Sequence, residues 1–94
     1  MLKKKQYANG QPVHKMVGDI LTYFFKTGKD KAYGKYLNEQ MQGEWTFYRE
    51  SKGDENQLWQ IGNFVDNVKH GNWKRYSKAG ELEYDENFEN GKKL

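Results

Sequence analysis

A glycine, a tyrosine five residues later and a second glycine nine or ten residues after the first recur three times in 94 residues. The copies are Gly18, Tyr23 and Gly28; Gly43, Tyr48 and Gly53; and Gly71, Tyr76 and Gly80. Two residues after the leading glycine stands Trp45 or Trp73, and Ile20 in the first copy. An aromatic returns at Tyr36, Phe64 and Phe88. A repeat of this period constrains architecture tightly: each copy is one small unit that buries its apolar face only by stacking on its neighbours. The opening Tyr7-Ala8-Asn9-Gly10 has the aromatic-x-Asn-Gly pattern of Phe88-Glu89-Asn90-Gly91. The chain therefore reads as one domain, 1–94, made of a half unit 7–17 and units 18–42, 43–70 and 71–94.

The glycine-bearing polar clusters are turn signals, because glycine takes positive φ without steric cost. Between them run "ILTYFFK", "GEWTFYRE", "QLWQIGNFV", "GNWKRYS" and "LEYDENF", short and rich in aromatic and branched residues as strands are. "KTGKDK", "SKGDENQ" and "SKAGE" turn within a unit, and "LNEQMQG" and "VDNVKHG" between units. "YGKYL" and "NGKKL" also read as turns. The expected fold is all-β, one antiparallel meander of stacked hairpins with about six strands.

One stretch pulls the other way. Val13, Met16, Val17, Ile20, Leu21 and Phe24 fall at helical spacing behind Pro12. Gly18, the β-rich "TYFF" and the repeat register, which aligns Ile20 with Trp45 and Trp73, favour a strand from about Ile20 onward. A short helical turn across 13–19 stays open at this point.

Gly43-Glu44-Trp45-Thr46-Phe47-Tyr48, His70-Gly71-Asn72-Trp73-Lys74-Arg75-Tyr76 and the tail Phe88-Glu89-Asn90-Gly91-Lys92-Lys93 resemble the MORN repeat in its bacterial variant form. The resemblance covers Tyr7 to the C-terminus. It implies an elongated hairpin meander used as a scaffold or protein-interaction module, with lipid association reported in some arrays. Bacterial variants are often labelled antitoxin-like. This chain departs from the pattern where its first unit lacks the Trp and its second carries a longer loop, residues 51–57.

Composition narrows the function classes. Only 35% of residues are hydrophobic while 16% are aromatic, so rings must supply the thin core of so short a chain. There is no cysteine, which excludes disulfides, thiolate nucleophiles and cysteine-bound zinc. No apolar run is long enough for a transmembrane helix. "MLKKKQYANG" is not an intact secretory signal, which favours the cytoplasm and leaves a trimmed exported form open. Residues 1–35 hold eight Lys and two acids, and residues 36–94 hold eight Lys/Arg and eleven acids, within a formal charge of +3. That balance is low for a nucleic-acid partner.

No catalytic constellation stands out. His14 and His70 are the only histidines, far apart in sequence, and no phosphate-binding glycine loop is present. The acids of "ELEYDENFE" place Glu81, Glu83 and Asp85 on one strand face opposite Leu82, Tyr84 and Phe88, as a solvated run that discourages edge pairing. No enzyme, metal or cofactor is expected.

The aromatics are the candidate binding residues. Trp45 and Phe47 alternate with Tyr48, and Trp73 with Tyr76, so rings fall on both faces of a strand. Rows of Trp45 with Trp73, and of Tyr23 with Tyr48 and Tyr76, together with Trp59, would either hold a thin sheet together or form an open binding strip. The expected function is a non-enzymatic protein-interaction or scaffolding module, with self-association through a sheet edge as a further partner mode. The alternative is glycan, cell-wall or lipid-headgroup binding on aromatic platforms.

Overall fold

The computed structural model describes residues 5–50 and 57–94. Among them eight strands form one open antiparallel sheet in chain order, and there is no helix. The strands are β1 (His14–Val17), β2 (Ile20–Phe24), β3 (Asp30–Leu37), β4 (Gln40–Arg49), β5 (Gln57–Val65), β6 (Val68–Tyr76), β7 (Leu82–Glu89) and β8 (Lys92–Lys93). Eight strands at about 4.8 Å spacing span roughly 34 Å. The molecular extents of 41 × 36 × 19 Å match a single layer of that width. Gly53 and the longer loop of residues 51–56 lie outside the described residues.

The meander was expected, but with about six strands. The additional two are β1 and β8. The helical spacing of 13–24 does not make a helix: the segment is the β1–β2 hairpin, with Val17 opposite Ile20 and His14 opposite Tyr23. Gly18, with φ 59°, begins the two-residue turn that forces the reversal. The turns "LNEQMQG" and "VDNVKHG" shrink to two residues each. Asn38 and Glu39 join β3 to β4, and Asp66 and Asn67 join β5 to β6. All four have positive φ, the mirror-image turn that matches strand twist. "YGKYL" is not a turn but lies within β3.

Two kinds of connection alternate along the chain. At one end of the strands, residues 7–11, 25–29 and 77–81 share a five-residue loop. In each, the first residue's N–H donates to the fifth residue's carbonyl and a glycine N–H donates back: Phe25 to Lys29 at 2.8 Å and Gly28 to Phe25 at 2.9 Å, Ser77 to Glu81 at 2.8 Å and Gly80 to Ser77 at 2.9 Å. Tyr7, Gly10 and Gln11 repeat these bonds at 2.8 and 2.9 Å. The opening "YANG" is thus a loop of this kind, not the counterpart of Asn90-Gly91, which is a two-residue turn at the other end. At that other end successive turns stack. Asn67 N–H donates to the Met41 carbonyl at 3.0 Å, and Gly91 N–H to the Lys69 carbonyl at 2.9 Å.

The core lies on one face. The register forms a row of Leu21, Gly34, Trp45, Gly62, Trp73 and Glu86 across six strands. Leu21 and Trp45 are fully buried and Trp73 nearly so. Leu21, not Ile20, takes the tryptophan position in the first unit. Gly18 is a turn residue, whereas Gly43 and Gly71 sit at bulges inside strands with φ 68° and 75°. The glycines that look equivalent in sequence therefore do different work, and the first unit shifts by one residue. The shift moves Tyr23 to the core face, where its ring centroid lies 6.4 Å from that of Trp45.

Trp45 and Trp73 each lie over a glycine of the preceding strand and bond just beyond it. Trp45 Nε1 donates to the Lys35 carbonyl at 2.9 Å, and Trp73 Nε1 to the Asn63 carbonyl at 2.9 Å. Phe64 bridges the two units, edge-on to Trp45 at 6.4 Å and to Trp73 at 5.0 Å between centroids. The opposite face carries Thr22, Tyr33, Thr46, Ile61, Lys74 and Asp85 in register, a mixed row in which Thr46 is buried.

Candidate functional site

A second row on the core face runs Tyr23, Ala32, Phe47, Gln60, Arg75 and Tyr84. Its character changes along the sheet. The first three positions are apolar or aromatic, and the next two are polar or charged. The same change occurs where Met41 gives way to Lys69, and where Gly34 and Gly62 give way to Glu86. Charged side chains lay their stems over the rings there: Lys69 Nζ is 4.6 Å from the Trp73 ring centroid and 4.9 Å from that of Phe88. In the apolar half the charged side chains stand over the flanking rings Phe24, Phe25 and Trp59, and among the described residues none stands over Tyr23, Trp45 or Phe47.

That half holds an apolar cleft of about 230 Å³, lined by Tyr23, Lys31, Ala32, Phe47, Tyr48 and Trp59. Ala32 makes the room, since the neighbouring positions of its row carry rings. Bulges supply two walls. Lys31 is the extra residue of β3 between the pairs Tyr23–Ala32 and Phe24–Asp30, and Trp59 is the extra residue of β5 between Phe47–Gln60 and Tyr48–Leu58. A bulge releases a side chain from strict alternation and re-aims it. Glu83 is the third such residue, in β7.

Two arginines stand over the Trp59 ring. The guanidinium carbons of Arg49 and Arg75 each lie 5.6 Å from its centroid, and Arg75 lies 5.5 Å from that of Tyr84. Arg49 donates one bond to the Tyr76 carbonyl at 3.1 Å, and Arg75 one to Gln60 Oε1 at 3.5 Å. The Nε of both is shielded from solvent without a hydrogen-bond partner among the described residues. Each guanidinium has five N–H donors, and among the described residues each makes that one side-chain bond.

The candidate residues separate by environment. Tyr23, Tyr48 and Trp59 come together at the cleft. Trp45 and Trp73 are core side chains, and Tyr76 joins the site only through its carbonyl. Tyr48 borders the cleft, while its ring stacks on Tyr33 of the opposite-face row with centroids 6.2 Å apart. Burial, then hydrogen bonding and charge from Tyr33, then Asp30, push the Tyr48 phenol above its usual range. Burial, then Tyr36, does the same to Tyr23. Both are neutral donors at physiological pH. The sequence places Phe47 on the Trp45 face, whereas it does not single out Lys31, Ala32, Arg49 or Arg75. Their only signal is the repeated bulge, which unequal loop lengths conceal.

Among the described residues no group of three His, Asp or Glu is placed to hold a metal ion. No described helix is long and apolar enough to cross a membrane. No protein-family model matches the chain, and no curated protein or solved structure matches it either.

Proposed function

We propose that this chain is a MORN-like, non-enzymatic module that binds a protein partner on the aromatic face of its sheet, at the cleft between Tyr23 and Trp59. The observation that carries this reading is the uneven cover of the core face. Charged stems close it over β6 and β7, while an apolar cleft stays open over β2 to β5. Aromatic walls with polar tips and flanking arginines are the composition of protein-binding hot spots. Glycan stacking is less well served, because it needs an uncovered ring and guanidinium groups already stand over Trp59.

The test is selection from a random dodecapeptide phage library. Sequences should enrich on the wild-type protein and fail to bind a folded Trp59→Ser variant. No enrichment, or binding untouched by Trp59→Ser, would overturn the reading.

A further inference from the structure

The cleft is apolar, and three cations stand at its border, with Asp30 the carboxylate near Tyr48. Lys31 is in its wall, and Arg49 and Arg75 stand over Trp59 at its rim. Among the described residues no carboxylate pairs with any of these three. Glu86, the carboxylate in the tryptophan row of this face, is held by Lys93 at 2.7 Å. Packing against rings fixes both guanidinium groups and lowers the entropy cost of recruiting their N–H donors. Among the described residues the shielded Nε atoms have no hydrogen-bond partner, so the described groups leave those donors unsatisfied.

We infer that the occupant is an acidic peptide segment: one large apolar side chain fills the cleft, and flanking carboxylates accept hydrogen bonds from Arg49 and Arg75. This rests on the protein-binding reading above and adds the partner's chemistry. A carboxylate matches the planar donor fork of arginine, and the pairing is charge-assisted. The anchor requirement follows from the apolar lining, since a cleft of about 230 Å³ has room for one large apolar side chain. Basic segments are repelled by the same border.

Three fluorescein-labelled dodecapeptides serve as probes, each with one central Leu. Their flanks alternate Ser with Glu, Gln or Lys. Fluorescence anisotropy on the wild-type protein should rank Glu over Gln by at least about tenfold, with Lys weakest. The Glu advantage should shrink at high salt and in Arg49→Gln and Arg75→Gln, and persist in Lys74→Gln on the opposite face. Equal binding of the Glu and Gln peptides to the wild type would overturn the inference and leave the protein-binding cleft standing. Because that comparison changes only the peptide, it holds even if an arginine variant fails to fold. Failure of all three peptides would overturn both. Stronger binding to phosphatidylserine vesicles than to the Glu peptide would overturn the acidic-peptide assignment in favour of a lipid surface.

Discussion

The Trp73 ring rests directly on Gly62, where an added Cβ would sit 2.0 Å from the indole. Trp45 has the same relation to Gly34, at 2.4 Å. Neither glycine has positive φ, so what the site demands is space for a ring and not backbone freedom. Gly62→Ala and Gly34→Ala should therefore each destabilise by about 1–3 kcal/mol or more through overpacking. Urea midpoints at unchanged m measure this. Trp73→Leu should make Gly62→Ala cheaper than it is alone, as a non-additive double-mutant cycle.

Trp45→Ala should cost about 3–5 kcal/mol, the range for emptying a buried aromatic site. Total stabilities are about 5–15 kcal/mol, so this one change consumes a large share and should lower the thermal midpoint steeply. Trp45→Phe should recover much of that loss but leave the Lys35 carbonyl without its indole donor, at about 1–2 kcal/mol. Circular dichroism melts of the three proteins rank them.

These two glycines mark what the sequence makes legible. Tryptophan at a fixed spacing, polar turns and aromatic returns identify the repeat, and the repeat implies a meander of local hairpins. The role of each glycine is hidden, because turn, bulge and ring-bearing glycines look alike as letters. Gly18 aligns with Gly43 and Gly71 only in sequence, and that coincidence shifts the first unit and assigns Tyr23 the wrong neighbours. β1 was obscured because Val13, Met16, Val17 and Ile20 satisfy helical spacing while forming a two-residue hairpin. The cleft was half legible: its rings are conspicuous, but its arginines and Lys31 enter through bulges and cross-strand neighbours that only the register defines.

Glu39 has φ 63° at the second position of the β3–β4 turn, where Asn-Gly is the favoured pair. Glu39→Gly should relieve the left-handed conformation and stabilise by about 0.5–1 kcal/mol. Gly91→Ala, in the corresponding position with φ 83°, should destabilise. Denaturant titrations of the two variants should move in opposite directions.

Tyr23 and Tyr48 both have phenols raised above the ordinary value of 10.0, burial being the first cause. Below about pH 10 they are protonated in the folded and unfolded chain alike, and their contribution is complete. As pH rises further the unfolded chain ionises first, so stability falls through the window between the unfolded and folded values. Absorbance at 295 nm should show some tyrosines titrating late, and Tyr48→Phe should flatten the alkaline loss of stability.

The most direct test of the central claim follows the three tryptophan indole N–H signals in a ¹H–¹⁵N spectrum while the Glu-flanked peptide is added. Trp59 should shift saturably, while Trp45 and Trp73, whose indoles are bonded to the Lys35 and Asn63 carbonyls inside the core, should stay in place. A bound peptide that leaves Trp59 unmoved, or that shifts Trp45 and Trp73 instead, would contradict the cleft as the binding site.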